Sequence, residues 1–199
     1  MSRVAGEVFC GTGKRERILR AAVDEFARAG YFNTKVSEVA RAAGVADGTI
    51  YLYFQSKEDL LISIFREQSR RFLEGLVEEL DGEKDPVARI RRIVAYHLET
   101  LGADRALAVV LQVELRQSLK FISLVSREEL REYLGVIQSV VEQGIESGAF
   151  RRMQSPQIVA NAIFGILDEM TTTWILSEKA EIPSQHEGSI TDFILRALI

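Results

Sequence analysis

TKVSEVARAAGVADGTIYLYFQSK, residues 34–57, is the most informative segment of the sequence. It predicts two short helices joined by a tight turn and followed by the start of a longer helix. The first helix is expected over residues 35–43, with Thr34 as its N-cap and Gly44 as the left-handed residue that ends it. The second helix is expected over residues 47–54.

The second predicted helix has two different faces. Ile50 and Phe54 lie one turn apart and are expected to fix one face against the protein. The opposite face carries Gly48, Thr49, Tyr51 and Leu52. This face suits the major groove of DNA, because glycine allows close backbone approach, hydroxyl groups bind bases or phosphates, and leucine contacts a thymine methyl group. An ordinary helical corner on the protein surface is the alternative interpretation.

The longer helix is expected to begin at Lys57. Ser56 is predicted to cap it, with Asp59 at capping-box spacing. A cation in the first turn of a helix is disfavoured by the helix dipole, unless a phosphate binds there and recruits both the amide donors and the lysine. Lys57 is therefore a candidate DNA contact.

These residues carry a resemblance to a known family. Residues 14–59, and above all GVADGTIYLYFQSKEDLL at residues 44–61, resemble the DNA-binding domain of the TetR family of repressors. The resemblance implies that residues 47–54 form the recognition helix and that Tyr53 and Lys57 hold the phosphate backbone. Thr34 and Lys35 complete the set of candidate DNA contacts.

Composition limits the class of protein. The chain has 199 residues, 47% of them hydrophobic, which suffices for a sizeable core. Its single cysteine excludes an intramolecular disulfide, and no secretory or membrane-spanning segment is evident, so a cytoplasmic location is expected. The net charge of the chain is −4, but residues 1–60 contain nine Lys and Arg against eight Asp and Glu. The segment with the candidate DNA-binding helices is therefore slightly basic, and the rest of the chain is acidic.

Apolar spacing predicts an all-α chain with two domains. A helix at residues 13–29 completes a three-helix DNA-binding unit, with Tyr31 and Phe32 filling its small core after a mobile arm at residues 1–12. A rod of about 24 residues starts at Lys57. Further helices are expected at residues 86–101, 104–117, 121–147, 156–178 and 187–199. We assign residues 1–56 to the helix-turn-helix domain and residues 57–199 to a helical-bundle domain for ligand binding and dimerisation.

Two of the later helices predict a homodimer. The helix that starts at Pro156 is apolar nearly all round, and the last helix also carries more apolar residues than one copy of the chain can cover. Gly165, in the middle of the first of them, is expected to allow close approach of another backbone. Pairing of these helices in two copies would bury a four-helix interface.

A narrower resemblance predicts the ligand. QVELRQS at residues 112–118 and FGILDEMTTTW at residues 164–174 resemble the ligand domain of FadR-type TetR repressors, which control fatty acid degradation and release DNA on binding long-chain acyl-CoA. The resemblance implies an apolar tunnel with arginines at the ligand head group. The candidate ligand residues are Phe72, Leu76, His97, Leu101, Arg105, Leu111, Arg116, Phe164 and Trp174.

The sequence is also compatible with two alternative functions. A TetR-type repressor of another hydrophobic molecule and a lipid or acyl-CoA carrier without DNA binding both remain open. A di-iron enzyme needs Glu-x-x-His pairs, but His97 and His186 are preceded by Val94 and Pro183, and no nucleophile elbow is present. We therefore expect no enzymatic activity, no metal and no cofactor.

Overall fold

The protein is described here by a computed structural model covering residues 13–114, 128–177 and 182–199. In these residues all regular elements are helices, which confirms the all-α prediction. The helices are α1 (Lys14–Ala29), α2 (Val36–Ala42), α3 (Asp47–Ile50), α4 (Lys57–Leu80), α5 (Pro86–Gly102), α6 (Arg105–Gln112), α7 (Glu128–Glu146), α8 (Pro156–Leu176) and α9 (Glu187–Leu198), with a 3-10 helix at Pro183–His186. The predicted arm at residues 1–12, parts of three predicted helices and the candidate Arg116 lie outside the described residues.

The chain divides into two compact units, and the first is discontinuous. Among the described residues it comprises residues 13–70 and 104–114. Helix α6 packs against α1, and its Leu107 and Val110 belong to the same buried cluster as Ile18 and Leu19 of α1. The predicted boundary between residues 56 and 57 separates two functional domains and stays a prediction. The compact units of the structure place α6 in the first unit.

The helix-turn-helix has the predicted order but different ends. The predicted N-cap Thr34 is wrong: α2 has Lys35 as its N-cap, and the Thr34 side chain is buried and bonded to the preceding loop. Gly44 after the helix has the predicted left-handed backbone, with φ of 65°. Regular helix in α3 stops at Ile50 instead of residue 54. The turn continues through shorter-range bonds, in which Leu52 N–H donates to Thr49 O at 3.2 Å and Tyr53 N–H donates to Ile50 O at 3.0 Å.

The two aromatic residues after α1 behave differently from each other. Tyr31 is buried against Phe26, with ring centroids 5.4 Å apart, as predicted for the small core. Phe32 is exposed, so its predicted place in that core is wrong. One aromatic ring fills the space, and the next residue of the loop faces away from it.

The second unit comprises residues 71–103, 128–177 and 182–199 of the described chain. Its core is formed by apolar residues of α5, α7, α8 and α9 together with the last turns of α4. The predicted N-cap at Asp85 is confirmed, because its carboxylate accepts hydrogen bonds from Val87 N–H at 3.1 Å and Ala88 N–H at 3.3 Å. In α8, Gly165 opens onto free space, so no close approach occurs at this glycine within the described chain.

Candidate functional site

The outward face of α3 and of the turn after it is exposed as predicted. Leu52 is 81% exposed and Tyr51 is 58% exposed, while Ile50 and Phe54 are fully buried and anchor the segment. Gly48 is exposed, and a side chain added there would meet nothing within 4 Å. The segment therefore presents a protruding surface of small, aromatic and aliphatic groups that its own unit does not cover.

Thr34 does not belong to that surface. It is 1% exposed, and its hydroxyl donates to the backbone oxygens of Glu25 at 3.1 Å and Gly30 at 2.9 Å. A DNA contact by this side chain is therefore wrong, since the hydroxyl is occupied in closing the α1–α2 loop. Lys35 is exposed at the start of α2, with the Glu38 carboxylate accepting its backbone N–H at 2.7 Å. Its ammonium group stays a predicted DNA contact.

Lys57 is engaged by the protein itself. Its ammonium donates to the backbone oxygens of Tyr31 at 2.8 Å, Thr34 at 3.0 Å and Phe32 at 3.3 Å. It also lies 4.5 Å from the centroid of the Tyr31 ring, and burial lowers its pKa below the usual value. Because an ammonium group has three N–H donors, this geometry supports a role in holding the loop before α2. Phosphate binding by Lys57 stays a prediction.

The same loop is held from its other side by α6. The Glu114 carboxylate, just after the end of that helix, is buried and accepts the Tyr31 N–H at 2.7 Å. Asp104, at the start of α6, forms an ion pair with Arg20 of α1. Both ends of one short helix therefore stabilise the first unit, and neither Glu114 nor Asp104 was predicted from the sequence as a partner.

The N-terminus of α4 is capped by side chains of the same segment. Ser56 Oγ accepts the Asp59 N–H at 3.0 Å, as predicted. The Asp59 carboxylate accepts the Gln55 N–H at 2.8 Å, one residue earlier than in a standard capping box. These bonds set the direction in which α4 leaves the exposed segment.

In the second unit, four rings form a cluster that we call the aromatic box: Phe72, His97, Tyr133 and Phe164. The rings of His97 and Tyr133 stack with their centroids 5.8 Å apart. Phe72 lies edge-on to both of them, at 5.8 Å from His97 and 5.1 Å from Tyr133, and Phe164 does the same from 6.5 Å and 5.9 Å. Three candidate ligand residues from three helices thus meet at one place.

His97 is the polar centre of the aromatic box. It is 3% exposed, and its Nδ1 lies 2.9 Å from the Tyr133 hydroxyl. Burial lowers the pKa of His97 to about 4, although the Asp168 carboxylate acts in the opposite direction, so the ring is neutral at pH 7. Its Nε2 is also buried and has no hydrogen-bond partner within the described part of the chain. Tyr133 was missed, yet it shares the helical spacing of the buried residues Ile137 and Val140 in α7.

The other candidate ligand residues fall in different places. Leu76 and Trp174 are buried in the second unit, and Leu101 is half-buried there. Leu111 packs against the core of the first unit, and Arg105, in the same helix, is exposed. The structure therefore groups only part of the predicted set with the aromatic box.

An open groove of about 500 Å³ also lies in the second unit. Its lining shares no residue with the predicted tunnel. The groove is lined by Val77, Leu80, Asp81, Arg89, Glu132, Gly135, Val136 and Ser139. Among the described helices, none is both long enough and apolar enough to cross a bilayer.

Two family models together match most of the chain. Residues 18–64 match the model described as bacterial regulatory proteins, tetR family, and residues 65–194 match the C-terminal region of YsiA-like protein. The fatty acid metabolism regulator protein of Bacillus subtilis is 37% identical over 166 residues, which cover 83% of this chain and 86% of the relative.

Two solved structures are similar over nearly the whole chain. FadR from Bacillus subtilis in complex with stearoyl-CoA has a TM-score of 0.85 at 34% identity, covering 92% of this chain and 98% of that one. The fatty acid degradation regulator FadR from Bacillus halodurans has a TM-score of 0.87 at 36% identity, covering 93% and 96%.

Proposed function

Because the chain belongs to the TetR family of bacterial regulatory proteins, we propose that it is a transcriptional repressor released from its operator by long-chain acyl-CoA. It acts as a homodimer in the cytoplasm on genes of fatty acid degradation, and acyl-CoA is its regulatory ligand. The observation that carries DNA binding is the exposure of Tyr51 and Leu52 on a segment anchored by Ile50 and Phe54. A major groove completes that surface.

The choice of ligand rests on the similar proteins and on the aromatic box. A relative 37% identical is named a fatty acid metabolism regulator, and a structure 34% identical contains stearoyl-CoA. The aromatic box supplies the apolar surroundings that a hydrocarbon chain requires. Phe72, His97 and Phe164 are accordingly our first ligand contacts, while Arg105 and Arg116 stay predictions for the head group.

We propose that release of DNA is a population shift carried by α4. This helix begins at Lys57, beside the recognition segment, and its later residues Phe72 and Leu76 belong to the second unit. Acyl-CoA that binds better to one tilt of α4 favours dimers whose recognition helices no longer fit successive grooves, about 34–36 Å apart. A decisive switch needs a difference in ligand affinity of about 5.5 kcal/mol between the two states.

The test begins with DNA fragments selected by the protein from a random-sequence pool. Stearoyl-CoA is then titrated into the protein–DNA complex, with acetyl-CoA and free CoA as controls, and bound DNA is measured by fluorescence anisotropy. We expect release by stearoyl-CoA alone. Equal release by acetyl-CoA or free CoA would overturn the assignment of a long-chain ligand. Tight acyl-CoA binding by a protein that selects no DNA would instead identify a carrier.

A further inference from the structure

The His97–Tyr133 pair leaves one buried polar atom to be explained. Both residues are buried, and His97 Nδ1 lies at hydrogen-bond distance, 2.9 Å, from the Tyr133 hydroxyl. His97 Nε2 has no partner within residues 13–114, 128–177 and 182–199. A buried polar atom without a partner is unfavourable, and in proteins it often marks a function.

The tautomer of His97 follows from counting hydrogens. If the Tyr133 O–H donates to Nδ1, the single proton of a neutral imidazole resides on Nε2, and one buried group is unsatisfied. If Nδ1–H donates to Tyr133 instead, both the hydroxyl hydrogen and the Nε2 lone pair lack partners. The first arrangement is favoured because it leaves fewer unsatisfied groups in a dry environment. Nε2–H is therefore a fixed hydrogen-bond donor.

We infer that Nε2–H of His97 donates a hydrogen bond to the thioester carbonyl of the bound acyl-CoA. This inference rests on the proposed function. It makes His97 a residue that determines ligand specificity, and it makes Tyr133 a positioning residue that fixes the tautomer. Phe72 and Phe164 are only partly buried, so theirs are the rings of the aromatic box that a ligand displaces to reach Nε2.

The chemistry of the ligand singles out the thioester carbonyl. The aromatic box accepts only an apolar part of a ligand, since burying a phosphate or a carboxylate beside a neutral imidazole is strongly unfavourable. Beyond the head group of a saturated acyl-CoA, the thioester carbonyl is the one hydrogen-bond acceptor on the apolar portion. A donor in this position distinguishes an acyl thioester from a hydrocarbon of the same length.

The experiment compares two ligands that differ at that carbonyl. Stearoyl-CoA and its thioether analogue S-octadecyl-CoA are titrated calorimetrically into the wild-type dimer. We expect the wild type to prefer the thioester by about tenfold, the equivalent of about 1.4 kcal/mol. The double variant His97→Phe with Tyr133→Phe keeps an aromatic ring at both positions and removes both polar groups. It is expected to bind the two ligands equally.

The single variant Tyr133→Phe tests the positioning role. Without the hydroxyl, nothing holds the proton on Nε2, so the preference for thioester over thioether is expected to shrink without vanishing. A purely structural defect would weaken both ligands alike and leave their ratio unchanged. Thermal melting of each variant confirms that it is folded before the ratio is measured.

The outcomes separate this inference from the proposed function. If the wild type binds both ligands equally, or if the double variant keeps the wild-type preference, the inference is overturned and the acyl-CoA response stands. If neither ligand binds the wild type, the acyl-CoA part of the proposed function fails, and the inference fails with it. A preference lost only in variants that lack the His97 donor supports the assignment.

Discussion

Tyr31 joins three elements of the first unit through three kinds of contact. Its N–H donates to Glu114 at 2.7 Å, its carbonyl accepts from Lys57 at 2.8 Å, and its ring packs on Phe26. The burial of Tyr31 could be predicted from its place after an amphipathic helix. Its partners could not, because Lys57 and Glu114 lie 26 and 83 positions further along the chain, and no local pattern encodes such pairs.

The contacts of Lys57 predict a loss of stability when its charge is removed. Lys57→Met keeps much of the aliphatic stem but loses the charge-assisted bonds to three carbonyls. We expect the free energy of unfolding to fall by about 1–2 kcal/mol, measured by urea denaturation. Lys35→Met is the matched control, because Lys35 is exposed and its loss is expected to cost less than about 0.5 kcal/mol.

The two lysines are also expected to differ in DNA binding. Lys35→Met should weaken operator binding and reduce its dependence on salt concentration, as the loss of one phosphate contact does. If Lys57→Met instead left stability unchanged and reduced the salt dependence, Lys57 would be a phosphate contact and its role in the loop would be secondary.

Helix α3 was predicted with the correct start and the wrong end. The predicted buried and exposed faces are nevertheless correct. Helix-like hydrogen bonds continue past Ile50, so Tyr51 and Leu52 stay exposed while Ile50 and Phe54 stay buried. The change from regular helix to turn depends on how the segment packs, which spacing does not reveal. The start of α5 was predicted correctly because Asp85 and Pro86 are a local signal.

A substitution in α3 separates folding from DNA binding. Gly48→Ala adds a methyl group where nothing lies within 4 Å, so we expect the protein to gain about 0.5 kcal/mol of stability. The same methyl group faces DNA in the proposed complex, and operator affinity is expected to fall at least about tenfold. Thermal melting and fluorescence anisotropy measure the two effects on the same samples.

Gly135→Ala is the matched control for that substitution. Gly135 lies in α7 of the second unit, is exposed, and also has nothing within 4 Å of an added Cβ. We expect a similar gain in stability with operator affinity unchanged. Undiminished DNA binding by Gly48→Ala would exclude close approach of this helix to a groove.

Helices α8 and α9 carry exposed apolar residues that a monomer leaves in water. Phe193 is 65% exposed in α9, and Ile158 and Leu176 are exposed in α8. The sequence predicted this excess of apolar surface because both helices are apolar on more sides than one bundle covers. The assignment of α6 to the first unit was not predicted, since it depends on a return of the chain that helix periodicity does not describe.

The dimer is expected to dissociate when one of these residues becomes charged. Phe193→Asp places a carboxylate in the proposed interface, and the dimer dissociation constant should rise at least about thirtyfold, the equivalent of about 2 kcal/mol. Val77→Asp, which charges an exposed apolar residue of α4, is the control and should leave the dimer intact. Sedimentation velocity measures both. A dimeric Phe193→Asp would assign the interface to another surface.

The return of residues 104–114 to the first unit bears on protein engineering. A chimera that joins residues 1–70 to the regulatory domain of another protein would omit Leu107, Val110 and the Glu114 carboxylate. All three are buried in the first unit. Such a graft would begin with a gap in its core, and the Tyr31 N–H would lose the buried carboxylate that accepts it at 2.7 Å. A transplantable form of the first unit therefore requires three junctions: one after residue 70, one before residue 104, and one after residue 114 where the chain continues to the second unit.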